Sequence, residues 1–147
     1  MNVLNILNSR EKKNIGRLLE GQFGCKGVLE YEFFMNSKNR IFLLSKDAGK
    51  IDMEELRVNS LGMYFGEIND RELRLSIEGS QLIGPLAKKN VLELDDEQAA
   101  RWMAGEDFEV ETGLKGFALI KNREDFMGCG KIAGKKLLNH VPKERRA

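Results

Sequence analysis

The chain has 147 residues, of which 41% are hydrophobic and 32% are charged, and its net charge is +1. This balance is typical of a soluble globular protein, and the length fits one domain or two small ones. No stretch approaches the ~18 apolar residues of a membrane span, and no basic region precedes the short apolar N-terminus. We therefore expect a cytoplasmic protein with no membrane partner. One histidine and two distant cysteines, Cys25 and Cys129, are too few for a zinc site, so we expect neither a metal nor a cofactor.

Residues 1–58 are predicted to form a small α+β unit. A helix is predicted from Asn8 to Gly24, with Asn8 as its N-cap and Glu11 as the capping-box partner. Gly21 and Gly24 mark its end. The other elements predicted in this unit are two strands, the turn that joins them and a short helix, at Val28–Phe34, Ile41–Ser45, Asn36–Asn39 and Asp52–Leu56.

Residues 59–147 have a different texture, with short strands separated by glycines. Glu72–Ile77 alternates apolar and polar side chains, which predicts a half-buried strand. Two helical segments are predicted, at Gly79–Ala87 and from the cap Asp95 to Gly105, and Trp102 in the second is interpreted as a core residue. Further strands are predicted at Met63–Ile68, Val91–Leu94, Phe108–Val110, Gly116–Lys121, Phe126–Ile132 and Lys136–Val141. Many short strands with two small helices indicate a compact barrel-like domain.

The charges are unevenly placed along the chain. Residues 1–59 have a net charge of +2, whereas Val91–Thr112 has eight acidic residues against one arginine, a net charge of −7. The last 17 residues have a net charge of +5 and also contain His140. A basic end on a neutral protein can form a local phosphate-binding surface, or it can simply keep the chain soluble. Charge alone leaves both interpretations open.

Two features of the sequence resemble catalytic motifs, and a catalytic role is disfavoured for both. Gly128–Lys136 resembles a phosphate-binding loop, but the spacing of its glycines is wrong and Lys136 replaces the Ser or Thr that would hold magnesium. Cys129 and His140 could be adjacent in a hairpin and form a nucleophile with its base. A small apolar residue between Gly128 and Gly130 in a tight strand is the commoner role for such a cysteine.

The order of several sequence blocks resembles a PUA domain. The blocks are Gly62–Gly66, Leu73–Gly84, Lys88–Leu94, Trp102–Asp107, Phe126–Lys131 and Asn139–Arg146. The resemblance covers Leu61–Ala147 and is strongest to the PUA form found with Nop/Sun-type RNA cytosine-5 methyltransferases and in small archaeal relatives. Residues 1–58 resemble, more weakly, the pre-PUA module of large-subunit ribosome-biogenesis factors. The implied fold is α+β, with a small pre-PUA-like module at 1–58 followed at 59–147 by a PUA pseudo-barrel of short mixed strands with two short helices.

The resemblance implies an RNA-binding surface on the first PUA helix, the strand after it and the end of the domain. The candidate RNA-binding residues are Arg74, Gly79, Gln81, Gly84, Lys88, Lys89, Lys131, Lys135, Lys136, Asn139, Lys143, Arg145 and Arg146. The glycines would let an RNA backbone approach closely, or they would serve tight packing of the helix on the barrel. Both interpretations remain open at this point.

The favoured hypothesis is a non-catalytic protein that binds structured RNA, either rRNA or tRNA, and reads shape more than sequence. It would act in tRNA modification, rRNA processing or ribosome biogenesis, alongside an RNA-modifying enzyme or a ribosome-assembly factor. No catalytic role is expected, because the chain lacks the Gly-rich methyl-donor fold and the catalytic cysteine motif of the methyltransferases it resembles. The alternative is a protein–protein adaptor that docks through Val91–Thr112 or through the N-terminal module. An enzymatic role with an unseen pocket ranks third.

Overall fold

A computed structural model describes residues 5–26, 31–45, 63–69 and 71–146. These residues form a mixed α+β structure with two five-stranded sheets and short helices, which confirms the predicted fold class. The predicted helix Asp52–Leu56 lies outside the described residues, as do the first residues of the strand predicted from Val28.

The first helix, α1 (Ser9–Phe23), is capped as predicted. Asn8 Oδ1 accepts a hydrogen bond from the Glu11 backbone N–H at 2.9 Å, and the Glu11 carboxylate accepts one from the Asn8 N–H at 3.1 Å. Gly24 closes the helix with φ +64°, a left-handed conformation that suits glycine. Ile15, Leu19 and Phe23 lie one turn apart and are buried, which fixes α1 on the first sheet.

The first sheet is an antiparallel meander in which each strand pairs with the next along the chain. Its strands are β1 (Asn5–Ile6), β2 (Tyr31–Met35), β3 (Arg40–Ser45), β4 (Met63–Asn69) and β5 (Glu72–Leu75). The predicted turn between β2 and β3 is confirmed, because Asn36 Oδ1 accepts from the backbone N–H groups of Lys38 and Arg40 at 2.9 and 3.0 Å.

This sheet spans the predicted boundary between the two domains. β3 precedes residue 58 and β4 follows it, and the two strands are hydrogen-bonded from Arg40 opposite Glu67 to Leu43 opposite Met63. The boundary itself lies outside the described residues and stays a prediction. The strands on its two sides belong to one layer of structure.

The helix α2 (Ile77–Ile83) follows β5 directly and corrects one prediction. The strand predicted to run to Ile77 ends at Leu75, because Ser76 caps the helix with its Oγ accepting from the Gly79 N–H at 2.9 Å. From the first turn of α2, Ile77 packs against the core around Trp102, so it is apolar. It therefore fits the apolar alternation of the predicted strand although it belongs to a helix. A short 3-10 turn, Gly84–Leu86, extends α2.

The second sheet holds β6 (Val91–Glu93), β7 (Phe108–Glu109), β8 (Gly116–Asn122), β9 (Asp125–Ala133) and β10 (Lys136–Leu138), in the order β6-β8-β9-β10-β7. β6 and β8 are parallel and the other pairs are antiparallel. Between β6 and β7 the chain forms α3 (Asp96–Met103), capped by Asp95 as predicted. The strand predicted to reach Val141 ends at Leu138, because the side chain of Asn139 turns the chain by accepting from the Val141 N–H at 2.7 Å.

Two cores lie on opposite faces of β8 and β9. Leu119 and Cys129 point into a first core with Phe23, Phe33 and Phe65. Ala118, Ile120 and Ile132 point into a second core built around Trp102, whose indole N–H donates to the Met127 carbonyl at 2.8 Å. Alternate residues of a strand face opposite sides, so β8 joins both cores. The core role predicted for Trp102 is confirmed, because its side chain is fully buried.

Candidate nucleic-acid interface

The tail, defined here as residues 139–146, is tied to the protein by Asn139. The Asn139 backbone N–H donates to Asp107 Oδ1 at 2.7 Å. The Asn139 side-chain amide donates to the carbonyls of Trp102 and Glu106 at 2.8 and 3.1 Å. Asn139 was a candidate for RNA contact. Its amide group is instead occupied within the protein, where it anchors the tail.

The basic side chains of the tail differ in whether they already bind protein groups. Arg145 Nη1 donates to Glu78 Oε1 on α2 at 2.5 Å, and Arg146 Nε donates to the Val141 carbonyl at 3.1 Å. Lys143 is exposed and makes no ion pair with any described residue. Two of the three basic side chains are thus already engaged by protein groups.

Arg74 of β5 lies beside His140 of the tail. Arg74 Nη2 donates to Glu67 Oε2 at 2.7 Å, and Nη1 lies 3.2 Å from His140 Nδ1. Because arginine can only donate, we assign Nδ1 as the acceptor and place the imidazole proton on Nε2. That Nε2 is buried and has no hydrogen-bond partner among the described residues. Burial, followed by the charge of Arg74, lowers the pKa of His140.

A cleft of about 630 Å³ opens between the first sheet, the start of α2 and the tail. It brings together two of the predicted residues, Arg74 and Arg145, and adds Arg40. Glu78 and Glu144 also line it, and Arg74 and Arg145 both sit in ion pairs. The charges at the cleft are therefore largely compensated.

Lys88 and Lys89 lie elsewhere, at the C-terminal end of α1. Both backbone N–H groups donate to the Phe23 carbonyl, at 2.8 and 3.2 Å, and the side-chain amide of Asn90 donates to the Gln22 carbonyl. Both lysine side chains are exposed. They border an open depression of about 570 Å³ together with Arg17, Lys26, Glu20, Gly21 and Gly24. We call this depression the basic groove.

Arg17 and Lys26 were not among the predicted site residues. The signal available in the sequence was the net charge of +2 over residues 1–59, but nothing in the sequence placed the end of α1 beside Lys88. That proximity is a tertiary contact across more than sixty residues.

The remaining predicted residues are scattered. Lys131 lies over the Phe117 ring at 5.4 Å, near His140. Lys135 and Lys136 lie at the β9–β10 turn, where Lys136 is opposite Glu109 of β7, so they adjoin the acidic segment Val91–Thr112. Gln81 is exposed on α2.

Gly79 and Gly84 are buried, and internal packing accounts for both. A Cβ atom at Gly79 would collide with the Phe65 carbonyl oxygen, and one at Gly84 would enter the Phe126 ring. Of the two interpretations left open for these glycines, tight packing of α2 is the one supported by their geometry.

Nucleophilic chemistry at Cys129 is disfavoured by its surroundings. The thiol is buried beneath the cleft, and desolvation raises its pKa to about 12. A thiol with that pKa is protonated at neutral pH and is a poor nucleophile. Burial also raises the pKa of Cys25. Among residues 5–26, 31–45, 63–69 and 71–146, no three potential metal ligands cluster together.

The described part of the chain contains no helix with the length and apolar character needed to cross a bilayer.

The second part of the chain is a pseudo-barrel of short strands that follows a helix and ends in the basic tail. This arrangement is the one expected for a PUA domain. Residues 89–147 match the family described as "Methyltransferase RsmF PUA domain", which confirms the resemblance for this part of the chain.

Curated relatives extend the similarity over most of the sequence. The chain is 27% identical over 140 residues to a ribosomal RNA small subunit methyltransferase F of Aeromonas salmonicida, covering 94% of this chain and 28% of the relative. It is 24% identical over 143 residues to that of Vibrio parahaemolyticus, covering 93% of this chain and 30% of the relative. The chain thus spans less than a third of either relative. These relatives lend no support to the expected archaeal connection or to a role in tRNA modification.

Proposed function

We propose that this chain is an RNA-binding unit that serves the modification of ribosomal RNA. The observation that carries the proposal is the match of residues 89–147 to a PUA domain of rRNA methyltransferases. Exposed lysines beside its start and near its end, Lys88, Lys89 and Lys143, supply the positive charge that phosphates require. Lysines of this kind can contact the phosphates and 2′-hydroxyls of folded RNA without reading its sequence.

We further propose that the unit does not itself catalyse methyl transfer. The chain spans about 28% of the relative from Aeromonas, and Cys129 is buried with its pKa raised to about 12. The catalytic partner would be an RNA-modifying enzyme, and a ribosome-assembly factor is a second candidate partner.

We expect a unit that acts on ribosomal RNA to function in the cytoplasm. The division into a module at 1–58 and a PUA domain at 59–147 also remains part of this proposal.

Salt dependence of RNA affinity tests the proposal. A fluorescein-labelled RNA hairpin is titrated with the full chain at increasing KCl, and the logarithm of the association constant is plotted against that of salt concentration. A binder that contacts Z phosphates gives a slope of roughly −0.7Z to −0.9Z. No binding, or a flat response, would overturn RNA binding and favour the alternative of a protein–protein adaptor.

Substitution locates the contact. Lys88→Gln with Lys89→Gln is expected to weaken hairpin binding roughly tenfold, because two phosphate contacts are lost. The matched control is Lys38→Gln with Lys115→Gln, which removes two exposed lysines that pair with no described acid and lie outside every predicted position, so affinity should stay unchanged. Equal weakening by both pairs would mean that only the total charge matters.

A further inference from the structure

The basic groove is a strongly charged surface, and of its described residues only Lys89 lies within the matched segment 89–147. Its four cations are Arg17, Lys26, Lys88 and Lys89, against one acid, Glu20. None of these cations forms an ion pair with a described residue. Arg17 and Lys26 come from the N-terminal region and lie outside residues 89–147.

The lysines are held in place without using their ammonium groups. The end of a helix carries partial negative charge and unpaired carbonyls, which cations often satisfy. Here the backbone N–H groups of Lys88 and Lys89 bind the Phe23 carbonyl, and α1 has no basic residue of its own in its last turn. The side chains of both lysines are consequently positioned but still exposed to solvent.

Two glycines line the basic groove, so at these positions no side chain keeps a ligand away from the backbone. Gly21 and Gly24 line it, and a Cβ atom at Gly21 would meet nothing within 4 Å. Gly24 lets Lys88 come close, since a Cβ there would lie 3.2 Å from Lys88 Cβ. A phosphodiester chain could thus approach α1 closely between cations on its two sides.

The charge continues along α1 beyond the groove. Arg10, Lys13 and Arg17 are exposed and spaced by three and four residues, so they share one face of the helix. From Arg10 to Gly24 this face extends for about 21 Å at 1.5 Å per residue. A surface of that length suits a polymer of phosphates better than a single phosphate group.

We propose that the basic groove binds the phosphate backbone of the RNA, so that the N-terminal region forms part of one RNA-binding surface with the PUA domain. This inference rests on the proposed function and adds Arg17 and Lys26 as contact residues. It also moves the centre of the interface away from the tail, where Arg145 and Arg146 are already engaged by protein groups.

The test compares two double variants of the full chain on the same fluorescein-labelled RNA hairpin. Arg17→Gln with Lys26→Gln is expected to weaken binding roughly tenfold and to reduce the magnitude of the salt slope by about 1.5. The control pair, Lys38→Gln with Lys115→Gln, should change neither. Circular dichroism and thermal unfolding confirm that both variants are folded.

A second substitution tests the shape of the groove. Gly21→Glu places a carboxylate beside Arg17 at a helical position with open space, so the fold tolerates it and RNA binding should fall. Gly21→Gln carries a similar volume without the charge and separates crowding from repulsion. Glu20→Gln removes the only acid among the described residues of the groove and is expected to tighten binding about threefold to tenfold.

The outcomes separate this inference from the proposed function. If the unaltered chain fails to bind the hairpin, both fall. If it binds, but the Arg17 and Lys26 pair behaves like the control, the groove assignment is overturned and RNA binding stands. Competition by polyglutamate as strong as that by unlabelled hairpin would assign the groove to an acidic protein and would likewise overturn it.

Discussion

The tail and the basic groove contain similar side chains, three cations in one and four in the other, but differ in what those side chains touch. Arg145 binds Glu78 and Arg146 binds a carbonyl, whereas the groove cations have no acidic partner among the described residues. The tail therefore uses much of its polar chemistry to close the fold. The groove keeps its charge available for a ligand. Counting charges along a sequence does not distinguish these two situations.

The comparison predicts that substitutions around the tail cost stability and that substitutions in the groove cost affinity. The largest loss of stability is expected for Trp102→Ala, since its side chain fills the second core and its indole N–H donates to the Met127 carbonyl. A buried tryptophan replaced by alanine costs about 3–5 kcal/mol. Urea unfolding followed by circular dichroism measures it, and Trp102→Phe should cost less because the ring volume is partly kept.

Asn139→Ala is expected to cost about 1–3 kcal/mol, because it removes the amide hydrogen bonds to the Trp102 and Glu106 carbonyls and leaves the partly buried Val141 N–H without its partner. The same variant frees the tail, so limited proteolysis should cleave the chain near residue 143 sooner than in the unaltered protein. Unchanged RNA affinity is expected as well. A large loss of affinity with normal stability would instead restore Asn139 as an RNA contact.

The stability of the tail should depend on pH through His140. Its pKa in the folded protein is lowered by burial and by Arg74, so folding favours the neutral ring. The contribution is fully present above the unfolded pKa of about 6.5 and is lost as pH falls through the lower folded pKa. Lys131 adds to this effect, while Asp107 and Glu67 oppose it. His140→Gln should flatten the fall in the free energy of unfolding as the pH decreases below about 6.5, and an unchanged slope would contradict this account.

Arg145→Gln is expected to lower stability by only about 0.2–1 kcal/mol, because its pair with Glu78 is largely exposed to solvent. A double-mutant cycle with Glu78→Gln measures the coupling directly. Coupling that disappears at high salt would agree with a surface pair. Persistent coupling would mean that the pair is more sheltered than its exposure indicates.

The smallest stability change belongs to the groove. Lys88→Gln with Lys89→Gln removes no ion pair and leaves the backbone bonds to Phe23 intact, so the change should stay within about 0.5 kcal/mol. Thermal unfolding of this pair beside Asn139→Ala completes the comparison. Substantial destabilisation would show that the lysine side chains serve α1 and not a ligand.

The sequence predicted local structure well and the site only in part. The capping box at Asn8 and the N-cap at Asp95 were predicted because a cap and the residues that it bonds lie within one helical turn. The end of β5 was misplaced because Ile77 is apolar whether it continues a strand or begins a helix. At the site, the pairing of Arg145 with Glu78 and the approach of Lys88 to Gly24 depend on tertiary folding, which a single sequence does not encode locally.

The sharing of one sheet by strands on both sides of residue 58 has a consequence for how such a unit can be inherited. A gene rearrangement that carried only the segment after this point would deliver β4 with one edge unpaired. Exposed strand edges promote pairing between chains and aggregation. A segment that also carries β3 would keep this edge paired, so we expect the unit that moves between proteins to extend beyond residues 89–147. Similarity over 93–94% of this chain in two methyltransferases is what such linked inheritance would leave behind.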